Sequence, residues 1–341
     1  TLNQLQLNFR QKAAFASKKA SNYLADKNPD DISQIVIVRH AAIGDFMNIR
    51  PFLIGLKSFF PSAKITLSTI NSYTYGIPND LINEVHVIDR TVGDKKTSFF
   101  QRIKQIKQLP QADLLFDLTD SSLSLYTTIF SKPKLKIGYS YRSFRRFFYD
   151  ISTLRSDFVL EADSVLHMLY MLGYSRHGDL EYGYGKLYPK KHAKQIVYFA
   201  GASMKNKCWN EDKFTALIEQ LSDQYTDYQH VILQGIRKDE QFLEIYSPIS
   251  HKKNVKLQKT MSLEGAMQFL ANSHLLISND TGIRNMAIAT QTPTIGIFFD
   301  IAPFKYWPNE QKHDCVFNKN YQQPAMTDVL DSAVKMMEYL Q

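Results

Sequence analysis

The chain has 341 residues, 44% of them hydrophobic and 22% charged, with a net charge of +8. That is too long for one typical core and suits two soluble globular domains. No run of about 18 uncharged apolar residues occurs, which excludes a membrane-spanning helix. The first residues show no apolar leader with a small-residue cleavage site, so no secretion signal is expected. Cys208 and Cys315 have no metal-type spacing and fit a reducing cytoplasm. Residues 1–185 carry 23 Lys and Arg against 17 Asp and Glu, and the remainder 18 against 16. The first half is therefore expected to meet something anionic: nucleic acid, a phosphorylated substrate or a membrane surface.

Residues 2–26 have helix-forming composition and are expected to form an amphipathic arm, broken by Asn28-Pro29-Asp30-Asp31. The β-branched run Ile35-Val36-Ile37-Val38 suits a buried parallel strand. It leads through Arg39-His40-Ala41-Ala42-Ile43-Gly44-Asp45 into a helix reaching Leu56. Further strands are expected over Lys64–Thr69, Val85–Ile88 and Leu114–Leu118, with a helix over Phe99–Leu109. This alternation predicts a doubly wound α/β domain. Residues 132–149 (KPKLKIGYSYRSFRRFFY) combine basic and aromatic side chains, Arg142, Arg145 and Arg146 among them. Such a stretch suits single-stranded nucleic acid, a phosphorylated sugar or a lipid headgroup, or forms a plain solvated edge.

Residues 176–192 are rich in Gly, Pro and charge and read as a linker. A second α/β series follows, with strands at Ile196–Phe199 and Val231–Leu233 and helices over about 211–224 and from about Lys238. Leu275–Asp300 (LLISNDTGIRNMAIATQTPTIGIFFD) reads as strand, polar turn Asn279-Asp280-Thr281-Gly282, short helix and strand. In an open parallel sheet such a turn is where ligands bind; Asp280 or Thr281 can cap the helix, and its first N–H groups favour an anion. Residues 325–341 predict a final amphipathic helix.

Three turns thus suit an anion or a reacting hydroxyl. Asp45 fits either a helix-dipole partner or a carboxylate able to accept a proton. In Gly201–Trp209, Ser203 and backbone N–H groups can hold phosphate oxygens and Lys207 can neutralise them. The third turn is that of Asp280. Several patterns are absent from the sequence: GxxxxGK[ST], GxGxxG after the first strand, Asp-x-Asp, GxSxG and zinc-type histidine pairs. The nine histidines, His40 among them, are scattered.

Taken together, these segments resemble glycosyltransferase family nine, the bacterial lipopolysaccharide heptosyltransferases. IVIVRHAAIGDFMNIRPFLIGLKSFFPSAKI is similar to that family's first strand, Ile-Gly-Asp turn and helix ending in Phe-Pro-x-Ala. GASMKNKCWNEDKFTALIEQL is similar to its Lys-x-Trp loop, and MSLEGAMQFLANSHLLISNDTGIRNMAIATQTPTIGIFFD to its Asp-Thr-Gly block. IGYSYRS matches a less specific segment. The resemblance implies a GT-B architecture of two Rossmann-like domains facing across a cleft. The acceptor domain would cover residues 1–180, with the N-terminal arm, and the nucleotide-sugar domain 190–324; residues 325–341 would cross back to the first domain. It also implies an inverting transfer of heptose from ADP-heptose to the lipopolysaccharide inner core, with no metal or other cofactor.

By the same resemblance Asp45 falls on the proposed general base, with Gly44, Arg142, Arg145 and Arg146 on the acceptor side. Lys207 falls on a phosphate-binding lysine with Ser203 beside it, and Asp280, Thr281 and Gly282 on the residues meeting diphosphate and sugar. Met261 falls on the adenine pocket, and Glu240, with Asp239 as the alternative, on an acidic ribose ligand. Where relatives continue Asp-Thr-Gly-Leu-Ser-His, this chain has Ile283-Arg284-Asn285. Asn285 can still donate a hydrogen bond but cannot titrate, and Arg284 is expected to add a charge beside the diphosphate. The implied partners are an ADP-sugar and an anionic lipopolysaccharide acceptor, with peripheral contact at the cytoplasmic face of the inner membrane and no nucleic acid.

Overall fold

A computed structural model describes residues 14–140, 144–189 and 193–341. The chain divides into two compact units, residues 1–180 and 181–341, so the boundary falls inside the Gly- and Pro-rich stretch read as a linker.

In the first unit the order is β1 (Ala14–Ala16), α1 (Lys18–Ala25), β2 (Gln34–Val38), α2 (Ile43–Asn48), α3 (Arg50–Phe59), β3 (Lys64–Ile70) and β4 (Glu84–Ile88). A hairpin of β5 (Thr91–Val92) and β6 (Lys95–Lys96) follows, then α4 (Phe99–Ile106), β7 (Leu114–Asp117), α5 (Ser122–Phe130), β8 (Leu135–Tyr139), β9 (Ile151–Thr153) and α6 (Glu161–Tyr170). The main sheet runs β1-β9-β8-β7-β2-β3-β4, parallel except where β1 meets β9. Numbering the six parallel strands by sequence gives the order 3-2-1-4-5-6 of a doubly wound sheet. Val36, Val38, Ile70, Ile88 and Leu115 form part of a buried core under this sheet, closed by Ile106 and Leu109 from the α4 region.

Two local expectations change. The N-terminal arm is not helical throughout: Ala14–Ala16 is a strand that pairs with Ile151–Thr153. The free edge of β9 supplies hydrogen bonds that outweigh helix propensity there. Residues 1–13 lie outside the described residues. The helix after β2 is two helices, because Pro51 cannot donate to the carbonyl four residues back and the ladder is interrupted at Ile49.

The second unit contains β10 (Gln195–Phe199), α7 (Glu211–Gln224), β11 (Gln229–Leu233), α8 (Leu243–Tyr246), β12 (Val255–Gln258) and α9 (Leu263–Asn272). It continues with β13 (Leu275–Asn279), α10 (Gly282–Ala289), β14 (Thr294–Phe298), β15 (His313–Phe317) and α11 (Met326–Tyr339). The six strands are all parallel in the order β12-β11-β10-β13-β14-β15, again 3-2-1-4-5-6. The helix expected from Lys238 is a 3-10 turn at Lys238–Glu240 and the short α8, separated by Phe242 in left-handed backbone at φ 53°. The terminal helix α11 packs along α7, β14 and β15 of its own unit. Among the described residues no helix is long and apolar enough to cross a membrane.

Candidate active site

Where a parallel sheet reverses its winding, the loops after the two central strands diverge and leave a crevice. In the first unit that point lies between β2 and β7, and in the second between β10 and β13. The three turns singled out in the sequence follow β2, β10 and β13.

After β2, Asp45 sits in the first turn of α2 with its side chain 37% exposed. Its Oδ1 lies 3.3 Å from Nη2 of Arg39, the first residue beyond the strand. Arg39 is buried; Nη2 also meets Glu161 Oε1 at 3.3 Å, and Nη1 donates to the carbonyl of Leu118 after β7. Glu161, buried at the start of α6, is gripped from its other side by Arg155 at 2.8 and 3.3 Å. Buried charges persist only when paired, so this Arg155–Glu161–Arg39 chain fixes the cation against which the Asp45 carboxylate rests. Thr119 ties the two loops: its hydroxyl accepts from His40 N at 2.9 Å and donates to Val38 O at 3.2 Å. Burial, then the charges of Arg90 and Arg39, push His40 down to about 3, so it is neutral at physiological pH and a poor base. Gly44 is buried behind Asp45.

The arginines expected on the acceptor side divide. Arg145 is buried with Nη1 2.6 Å from Asp120 Oδ1, and Arg146 places its guanidinium 4.2 Å over the Phe15 ring. Both thus hold the β8–β9 connection. Arg142 lies outside the described residues.

In the second unit, Lys207 ends a 3-10 turn after β10. Its Nζ is 3.8 Å from Asp280 Oδ2 and 3.6 Å from Asp300 Oδ2, which binds together the loops after β10, β13 and β14. Asn206 Nδ2 donates to Asp300 Oδ1 at 3.2 Å. The loop is anchored by buried groups. Asn279 closes β13, accepts from Trp209 N at 3.1 Å and donates to Ala200 O at 2.7 Å. The Trp209 indole is buried against Phe214 and donates to Pro324 O at 3.0 Å. Asn279 is therefore part of the strand and a positioning residue, where the sequence suggested a turn.

Thr281 is the N-cap residue of α10, yet its side chain makes no capping hydrogen bond. Gly282 and Asn285 are half-buried in the first turns of that helix. Ser203 is exposed and its carbonyl accepts from Arg237. Glu240, after β11, is nearly buried: a side chain on Gly201 or Gly235 would collide with its carboxylate. Asp239 is exposed and pairs with Arg237. An acidic residue after the second strand of a 3-2-1-4-5-6 sheet is placed as ribose ligands are. Met261, half-buried, precedes α9 after β12. Donor-side candidates thus follow β10, β11, β12 and β13 in turn.

Arg284 corrects an expectation. It is fully buried, stacks over Phe298, and donates to Tyr306 O at 2.6 Å and toward Cys315 Sγ at 3.3 Å. Its charge is turned into the fold, and a side chain on Gly296 would collide with it. Cys315, pushed up to about 12 by burial, is a protonated, inert thiol. Arg39, Glu161 and Asp300 had no role in the sequence reading. For Asp300 the signal was available, a carboxylate just beyond the end of a buried strand; the other two depend on contacts between distant segments.

The family profile described as "Glycosyltransferase family 9 (heptosyltransferase)" matches residues 101–333. The chain belongs to glycosyltransferase family 9. It is 25% identical over 289 residues to Lipopolysaccharide heptosyltransferase 3 of Escherichia coli, covering 75% of this chain and 80% of that protein. It is also 25% identical over 115 residues to Lipopolysaccharide heptosyltransferase 1 of Campylobacter coli, a match spanning 33% of this chain and about a third (34%) of that relative's length. The E. coli heptosyltransferase WaaC, solved with ADP-2-deoxy-2-fluoro heptose, superposes with a TM-score of 0.71 at 18% identity, covering 90% of this chain and 99% of that one. As a family 9 enzyme the protein is a glycosyltransferase, and its two doubly wound units are those of the GT-B fold.

Proposed function

We propose that this glycosyltransferase moves heptose from ADP-heptose onto the anionic inner core of lipopolysaccharide, at Kdo or phospho-Kdo on lipid A or at a core heptose. The reaction inverts the anomeric centre and needs no metal. The acceptor hydroxyl oxygen forms a bond to the anomeric carbon while the bond from that carbon to the ADP oxygen breaks. Asp45 accepts the hydroxyl proton. Lys207 and the positive end of α10 meet the charge that develops on ADP, the work a metal does elsewhere. Asp280 and Asp300 accept hydrogen bonds from sugar hydroxyls, Glu240 from the ribose, and Met261 lines the adenine site, with Ser203, Thr281, Gly282 and Asn285 on the phosphates and sugar. The acceptor is lipid-borne and the enzyme works at the cytoplasmic face of the inner membrane.

The observation that carries this reading is the Lys207 ammonium held between Asp280 and Asp300 at the head of α10. A cation beside a helix N-terminus suits a departing diphosphate, and the flanking carboxylates suit sugar hydroxyls. Asn285, where relatives carry histidine, favours a second reading in which the nucleotide is ADP but the sugar differs. A thermal-shift panel of ADP, UDP, GDP and CMP tests the donor. ADP alone should stabilise the protein, and Lys207→Ala should weaken ADP binding by about thirtyfold, the worth of one hydrogen bond between charged groups at roughly 2 kcal/mol. Equal affinity in the variant would remove Lys207 from the site. Transfer from ADP-heptose that persists in EDTA supports the metal-free route, and loss in EDTA restored by a divalent ion contradicts it.

A further inference from the structure

Two segments of the first unit pair phenylalanines with basic residues: 95–104 (KKTSFFQRIK) and 144–148 (FRRFF). Forty residues separate them, yet both pack on α5. The Phe99 ring lies edge-on to Tyr126 at 5.4 Å and Phe130 at 6.1 Å, with Phe100 6.0 Å from Phe99. The 3-10 turn Arg145–Phe148 meets the same helix. Folding leaves these rings in water: Phe100 is 81% and Phe147 86% exposed, and Phe99, Tyr126, Phe144 and Phe148 are exposed with them. None of them belongs to the three turns of the candidate site.

Aromatic side chains gathered around one helix and left uncovered mark an interaction surface. The charges nearby identify the occupant. Lys95, Lys96 and Lys104 are exposed, and Arg102 and Arg146 are half-buried; Asp94 is the acidic residue of the same hairpin. A second copy of the chain would bring a like-charged rim against this one. Rings that settle at the headgroup level, with lysines and arginines reaching phosphates, are how proteins lie on an anionic leaflet.

We infer that this face of the first unit, around α5, docks on an anionic membrane surface. The inference deepens the reading of a lipid-borne acceptor and rests on it for its purpose. The test is flotation of the full-length chain, without substrates, on vesicles of phosphatidylethanolamine containing about one-third phosphatidylglycerol, against phosphatidylcholine vesicles. The protein should float with the anionic vesicles only. Phe100→Ser with Phe147→Ser should lose about tenfold in affinity per ring removed, and Lys95→Glu with Lys96→Glu should abolish the preference for anionic lipid. Both variants should keep the thermal midpoint and the ADP response. Absence of wild-type flotation, or equal flotation of the phenylalanine variant, overturns the inference. So does self-association that the phenylalanine variant abolishes, which would assign the surface to a second copy. Transfer to a soluble, deacylated acceptor separates the two readings. If it succeeds without vesicle binding, only the docking surface fails; if vesicles bind and no heptose moves, only the proposed reaction fails.

Discussion

At Asp45 the chemistry depends on a residue that never touches substrate in the proposed reaction. Arg39 Nη2 is shared between Asp45 and Glu161, while Nη1 is held by the Leu118 carbonyl. Removing that guanidinium frees the carboxylate to rotate, while Glu161 keeps its pairing with Arg155. Arg39→Ala should lower kcat by about a hundredfold, the usual cost of misplacing a catalytic group by an ångström, with ADP affinity unchanged. Arg39→Lys should recover only part of the loss, because an ammonium cannot reproduce the planar fork. A fall in ADP affinity matching the fall in kcat would show that Arg39 acts on the whole fold. The same residue marks how far the sequence could be read. The turns bearing Asp45, Lys207 and Asp280 were legible because strand, glycine and helix start are local signals. Glu161 stands 122 positions from Arg39, and no local pattern announces that pair.

The elements show the same division. β2, β10, β13 and β14 each hold a buried run of apolar residues and lie within a residue of where they were expected. β12 and β15 are edge strands of mixed burial, Val-Lys-Leu-Gln and His-Asp-Cys-Val-Phe, and gave no such signal. The element starts are nonetheless tightly specified. Asp113, just before β7, accepts from Ser33 N at 2.8 Å, Ser33 Oγ at 3.0 Å, Gln34 N at 3.1 Å and Lys134 Nζ at 2.8 Å. It thereby clamps the entries of β2, β7 and β8. Burial alone would raise its pKa, but Lys134 and the Ser33 and Gln34 donors outweigh that and hold it below the usual carboxylate range. A depressed folded value stabilises the protein above the unfolded pKa of about 4 and loses that contribution as pH falls through the folded value. Asp113→Asn should therefore cost about 2 kcal/mol at neutral pH, with the gap to wild type closing below about pH 4. Thermal midpoints measured across that range check it; a constant gap would mean the charge is not what the clamp uses.

Across the whole chain, each of two units winds its parallel strands 3-2-1-4-5-6 and carries its candidate residues after the central strands. The residue types differ between the units. The first offers a carboxylate backed by a buried arginine, in the half that holds most of the positive charge; the second offers a lysine, a helix N-terminus and two aspartates. Family 9 membership and the GT-B fold make this a glycosyltransferase, and the proposed division of labour, acceptor chemistry in one unit and donor binding in the other, rests on that difference in residue types. Asp45→Asn tests that division most directly, since it removes the proposed base while keeping its size. Single-turnover transfer from ADP-heptose should fall about a thousandfold, within the range that general base catalysis supplies, while calorimetry gives an unchanged affinity for ADP. Turnover at the wild-type rate, or loss of ADP binding together with transfer, would contradict it.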